Sequence, residues 1–227
     1  MRFGAIPLDE AEGAVLTHAL RVGKLAYKKG RRLSAADVEA LRASGVGDVI
    51  AAKLEPGDVE EDEAARLVAE AIAGEHVRIE RPFTGRVNLF AEQAGLLVLD
   101  HARIDRLNRL DEAVTIATLG AFAEVEPKTM VATVKIIPFA APGEVVEQWC
   151  AGAADGPLLR LAPYRPLDVA LIQTRLPGTK ESVLDKTVAV TAQRISAAGG
   201  RLVSEARCEH TVPALPSASG RARRISC

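Results

Sequence analysis

Aromatic side chains are scarce in this sequence: one Trp, two Tyr and five Phe in 227 residues. Its core must therefore be built mainly from Ala, Val, Leu and Ile. Cysteine is scarcer still. Cys150, Cys208 and Cys227 stand far apart, which implies no disulfide framework and suits a reducing, cytoplasmic setting. No apolar run approaches the roughly 20 residues needed to span a bilayer. The opening Met-Arg-Phe-Gly-Ala-Ile-Pro-Leu-Asp-Glu has no signal-peptide apolar segment. Net charge is −1, so charge gives no general argument for a nucleic-acid or membrane partner, and neither is expected.

Familiar catalytic motifs are missing too. There is no Gly-x-Ser-x-Gly, no phosphate-binding P-loop and no Gly-x-Gly-x-x-Gly. His18, His76, His101 and His210 are scattered. Cys208 and His210 are neighbours, but two ligands do not make a zinc site. No catalytic set and no metal site is expected.

What is present is an ordinary globular balance, 48% hydrophobic and 26% charged. The periodicity predicts an α/β protein in successive parts. Residues 1–75 read as an α+β front module. Within it, Ser34 can cap a helix carrying Val38 and Leu41 and ended by Gly45. Residues 49–54 read as a strand, and Pro56-Gly57 as a turn. Asp58 is expected to cap a second helix whose apolar stripe is Ala64, Leu67, Val68, Ala71 and Ile72. The run Glu60-Glu61-Asp62-Glu63 suits the positive end of that helix better than a metal, because adjacent helical side chains diverge.

Residues 76–153 read as a β-rich module with one short helix and a connecting helix at its end. Residues 86–90 and 96–99 flank a Gly-containing turn and suggest a hairpin. Residues 114–118 and 130–137 read as further strands. Arg86 and Asn88 beside Gly85 could form a polar site, although a surface hairpin also accounts for them. Residues 154–166, broken by Pro157, Pro163 and Pro166, read as a linker. The end from 211 to 227, rich in Pro, Ser, Ala and Arg, reads as a disordered tail.

Residues 167–210 carry the clearest pattern, a strand–helix–strand unit. Leu167-Asp-Val-Ala-Leu-Ile-Gln-Thr174 is a buried strand, and Arg175-Leu-Pro-Gly-Thr-Lys-Glu181 a loop. Ser182 can cap the next helix, with Asp185 three residues on completing a capping box. Leu184, Val188, Thr191, Ile195 and Ala198 keep helical spacing, Gly199-Gly200 stops the helix, and 201–206 form a second strand. Ligands of open α/β sheets sit beyond the carboxyl ends of strands. There Thr174, Arg175, Thr179, Lys180 and Ser182 offer hydroxyls and positive charge beside a helix start, which suits a phosphate. The same loop reads equally as a solvated connection.

Several of these segments resemble a known group. Tyr27-Lys-Lys-Gly-Arg-Arg-Leu-Ser-Ala-Ala-Asp37 and Leu54-Glu-Pro-Gly-Asp-Val-Glu-Glu-Asp-Glu-Ala64 resemble the front of molybdopterin-binding proteins. Gly85-Arg-Val-Asn-Leu89 and Val131-Ala-Thr-Val-Lys-Ile-Ile-Pro138 are similar to that family's middle module. The unit from Leu167 resembles the start of the molybdopterin-binding domain of molybdenum-cofactor biosynthesis proteins. The resemblance covers about 1–206 and implies a doubly wound domain that binds molybdopterin or the molybdenum cofactor. It carries ligand contacts onto Thr174, Arg175, Glu181, Ser182 and Asp185, with Thr174-Arg-Leu-Pro standing where the family has Thr-Gly-Asp/Asn-Glu. The family's domain continues through further βα units with a Gly-rich stretch. The sequence after His210 does not, so the domain reads as truncated, its ligand site as incomplete, and self-association as a consequence. Bacterial members are commonly fused to a nucleotidyltransferase-like domain similar to molybdenum cofactor cytidylyltransferases. Two other readings therefore stay open: a non-catalytic scaffold, and a nucleotidyltransferase by fusion.

Overall fold

The computed structural model describes residues 1–215. Most of the expected tail, from 216 on, lies outside the described residues. The architecture is α/β: helices and strands are mixed in several small sheets.

The front module holds β1 (Arg2–Pro7), β2 (Val15–Leu16), β3 (Leu20–Val22), β4 (Leu25–Tyr27), α1 (Ala35–Ala43) and β5 (Asp48–Lys53). β5 lies between β1 and β2, antiparallel to both. This sheet and α1 enclose a core that includes Ile6, Leu8, Leu16, Leu33, Leu41 and Val49. Ser34 caps α1 as the sequence predicts. Its hydroxyl accepts from the Asp37 amide at 3.2 Å, while Asp37 accepts from the Ser34 amide at 3.0 Å. Asp37 also takes a bidentate contact from Arg31. Backbone donation from Ser34, aided by Arg31, holds this buried carboxyl below its usual pKa despite desolvation.

The middle module begins at β6 rather than at residue 76, because α2 packs into its core and not the front one. It holds β6 (Asp58–Glu60), α2 (Glu61–Ile72), β7 (Val77–Ile79), β8 (Arg86–Ala91), β9 (Gly95–Leu99), α3 (His101–Leu107), β10 (Val114–Thr118), β11 (Glu124–Val125), β12 (Met130–Ile136), β13 (Ala140–Pro142), α4 (Gly143–Gly152) and β14 (Leu159–Pro163). One sheet runs β10-β12-β8-β7, another β11-β9-β14. α2 packs across the first sheet, with Ala64, Ala65, Val68, Ala69 and Ile72 fully buried.

Three expectations are corrected here. Residues 86–90 and 96–99 do not form a hairpin: β8 pairs with β12 and β7, and β9 with β11 and β14. Gly95 is pressed against the Ala162 carbonyl, where a Cβ would sit 2.3 Å from the oxygen, so β9 is drawn to β14 instead. Asp58 does not cap α2, because its carboxylate is occupied by the Met1 amine at 2.9 Å and the Glu55 amide at 2.7 Å. The helix begins at Glu61 with Glu60 as its cap residue. Within 154–166, β14 is a paired strand whose Leu159 and Leu161, with Leu158 just before it, join the core, which leaves 164–167 as the connection.

The last part is β15 (Asp168–Arg175), α5 (Glu181–Ala197) and β16 (Arg201–Glu209). The strands pair in parallel, as the crossover length predicts. Gly199, at φ 71°, turns the chain out of α5. Ser182 does not cap α5, since the helix starts one residue before it and Lys180 is the cap residue. Among the described residues of this unit only Gln173 and Leu184 are buried.

Ser34→Ala removes a satisfied cap and is expected to cost about 0.5–2 kcal/mol in urea denaturation. Ser182→Ala, whose hydroxyl caps nothing, is expected to stay within about 0.5 kcal/mol of the parent.

Candidate functional site

The loop at the carboxyl end of β15 is built around one tight turn. Leu176-Pro-Gly-Thr179 closes with the Thr179 amide donating to the Leu176 carbonyl at 3.0 Å. Gly178, at φ 84°, occupies the position that demands a left-handed backbone, and Pro177 presets the residue before it. The Thr179 hydroxyl accepts from the Leu176 amide at 3.2 Å. Thr179 therefore shapes the loop from within. The turn delivers the chain into α5, a helix of 17 residues.

The seven expected ligand residues have different partners. Arg175 and Glu181 pair with each other at 3.1 Å, with side chains 44% and 58% exposed. Glu181 and Asp185 both bind Arg207 of β16, Asp185 at 2.7 Å. Asp185 thus serves a cation across the unit, and the expected capping box does not form. Lys180 and Ser182 are exposed, and their side chains have no hydrogen bond or ion pair among the described residues. Thr174 faces His210, its Oγ1 2.8 Å from Nδ1.

Arg207 is the residue that sequence reasoning missed. Its side chain is only 18% exposed and is surrounded by Glu181, Asp185 and Glu205. Gln173 completes the cluster, with Nε2 donating to Glu205 at 2.9 Å and to the Leu184 carbonyl at 3.2 Å. The signal lay in strand alternation. Glu205 and Arg207 point to one face, and the parallel register sets Gln173 opposite Arg207. Arg207 first, then Gln173, hold the Glu205 carboxyl below its usual range. Chemically, the end of the unit presents two exposed cations, free hydroxyl and amide donors, and two carboxylates fixed by a guanidinium.

Elsewhere, a cleft of about 1060 Å3 lies between the end of α2, β9 and the turn before β14. Its wall is tied down by Arg103, which donates to the Gly152 carbonyl at 2.6 Å. His101, on its rim, pairs with Asp105 at 3.0 Å. Among the described residues no group of three His, Cys, Asp or Glu could hold a metal. None of their helices is long and apolar enough to cross a membrane.

Residues 5–53, the greater part of the front module, match a family described as Domain of unknown function (DUF8806). No curated protein and no solved structure matches the chain.

Replacing Arg207 by Met leaves three carboxylates facing one another and is expected to lower the thermal midpoint at neutral pH. Glu205, whose pKa is depressed below 4.5, contributes stability that is complete above that value and is lost as pH falls through its folded pKa. The gap between parent and variant should therefore shrink as melts move from about pH 6 to about pH 3. A gap that does not change with pH would assign Arg207 to packing alone.

Proposed function

We infer that this chain is a molybdopterin-binding protein acting in molybdenum-cofactor biosynthesis in the cytoplasm, with the pterin ligand meeting the loop from Thr174 to Asp185. The observation that carries the reading is the parallel β15–α5–β16 unit with its polar loop beyond the carboxyl end of β15. Ligands of open parallel sheets sit in that position. The sequence resemblance in the front and middle modules supports the same family.

The loop's chemistry suits the two ends of such a ligand. A terminal phosphate takes Arg175, Lys180 and the first amides of α5, joined by the Ser182 hydroxyl. Arg175 is available because its pair with Glu181 is exposed, and exposed pairs contribute only about 0–1 kcal/mol. The carboxylates of Glu181 and Asp185, held by Arg207, accept from the N–H groups of the pterin. Thr179 supports the turn and Thr174 marks the strand end.

This is a binding role rather than transferase chemistry. The unit buries little of its own surface: Val169, Leu171, Leu202 and Val203 remain only half-buried. A parallel sheet is stable when both faces are covered. The ligand site is therefore walled on one side by this unit and completed by further α/β structure or by a second copy of the chain.

A titration with molybdopterin, followed by calorimetry, tests the reading. A charge-assisted contact is worth about 1.5–3 kcal/mol, so Arg175→Ala should weaken binding by about tenfold or more. Equal affinity of parent and variant would remove the loop from the site, and no binding by the parent even at concentrations where it forms dimers would refute a site completed by a second copy.

A further inference from the structure

A second polar cleft, of about 460 Å3, lies at the seam between the front and middle modules, remote in sequence from the β15 loop. Four separate segments build it. Lys29 and Gly30 come from the turn after β4, Glu61 opens α2, and Thr84 lies in the turn before β8. Lys135 projects from β12, and Ile137, Pro138 and Phe139 supply an apolar side.

The seam is held in register by contacts that do not use the cleft's own charges. Arg32 of the front module bonds Glu60 at 2.8 Å, and β13 pairs with β6 beside it. The Gly85 amide donates to Asp62 at 2.7 Å, and the Ile136 amide donates to the Gly85 carbonyl at 2.7 Å. These bonds impose two successive left-handed residues, Thr84 at φ 50° and Gly85 at φ 68°. For a β-branched threonine that conformation is strained, and such strain gathers at ligand sites. It brings the Gly85 backbone against the Glu61 carboxylate, where a Cβ would lie 2.8 Å from Oε2.

The charges themselves are left open. The Glu60 and Asp62 side chains, on either side of Glu61, both have partners. By contrast, among the described residues the side chains of Lys29, Lys135 and Glu61 make no hydrogen bond or ion pair. Glu61 is half-buried, and burial first, then Asp62, push its pKa up while Lys135 and Lys29 pull it down. α2's first amide is not part of the offer, since it donates to the Phe139 carbonyl. The side chains alone therefore decide what fits: two cations, a hydroxyl and an acceptor carboxylate that line one cleft. The volume falls within the range of small-molecule sites.

We propose that this seam cleft binds a small phosphorylated molecule, its phosphate held by Lys29, Lys135 and the Thr84 hydroxyl and an N–H donor edge held by Glu61. A heterocycle with adjacent ring N–H and amino groups can meet a carboxylate in bidentate fashion, while the apolar side receives its ring face. The inference stands on the cleft and not on the reading of the β15 loop.

The test uses two probes on the full chain, inorganic phosphate and guanosine 5′-monophosphate, followed by amide NMR shifts. Both should saturate shifts at Gly30, Thr84 and Gly85, with the nucleotide binding about tenfold or more tightly. The double variant K29Q/K135Q should lose both probes. K29Q alone, changed on an exposed turn, should weaken both should the double variant fail to fold. E61Q should weaken the nucleotide while leaving phosphate binding intact or stronger. Arg175→Ala should leave every one of these shifts unchanged, which separates this site from the loop. Absence of saturable shifts, or shifts that survive the lysine changes, would overturn the site. A nucleotide preference that survives E61Q would overturn the donor assignment.

Discussion

The seating of α2 on the β10-β12-β8-β7 sheet is the contact on which most of the molecule depends. Three of its five fully buried residues are alanines, so the helix axis can lie close to the strands, while Val68 and Ile72 fill the remaining depth. Full burial of each of these two larger side chains contributes about 1.5–3 kcal/mol. The opposite face is solvated and braced by Arg66 between Glu63 and Glu70. Because the helix sits so firmly, its first turn becomes a fixed platform at the module seam. Glu60 meets the front module there, Asp62 grips the Gly85 turn, and Glu61 faces the cleft.

A different economy governs the C-terminal unit. The front and middle modules each have a dense apolar core, whereas β15–α5–β16 buries only Leu184 and Gln173. Charged pairs hold its two ends: Asp168 with Arg201 at one, and Arg207 with its three carboxylates at the other. Exposed ion pairs contribute little to global stability. The Arg207 cluster is less exposed and geometrically determined, so it defines where carboxylates stand rather than how tightly the unit folds. Ligand-binding segments are drawn from the less stable parts of proteins for this reason.

Local patterns were legible in the sequence; pairings between distant segments were not. The Ser34 cap and the α2 stripe follow from residues within a few turns of one another, and the parallel crossover from the length of the segment that joins the two strands. β8 and β9 are neighbours in sequence but do not pair. Gly95 can approach the Ala162 backbone only because it has no side chain, and its partner lies more than 60 residues away. Asp58 failed as a cap because the chain's own amino terminus competes for its carboxylate. Of the candidate site, the seven loop residues are suggested by position in the sequence, whereas Arg207 is not. Its role emerges only when the parallel register places β16 beside β15. The seam cleft was still less visible, since its lining residues come from four parts of the chain, although Gly85 and its polar neighbours were a local hint.

The two polar sites differ in what a ligand would have to displace. At the β15 loop each cation that matters already has a carboxylate beside it, except Lys180. A phosphate arriving there exchanges an exposed Arg175–Glu181 pair for a charge-assisted bond, and the net gain is the difference between the two. Arg207 is less free to move, so it keeps Glu181 in place after Arg175 has left. In the proposed function, that separation lets one carboxylate lose its exposed partner without losing its position. At the seam cleft nothing has to be displaced, because no ion pair joins Glu61 to the lysines around it. There part of the cost was met in folding, as a left-handed Thr84 and a half-buried carboxyl, and a ligand would still have to strip water from the exposed Lys29. If both proposals hold, loop and cleft would prepare polar groups for an anion in two ways: one keeps them neutralised and exchangeable, the other leaves them without ion pairs.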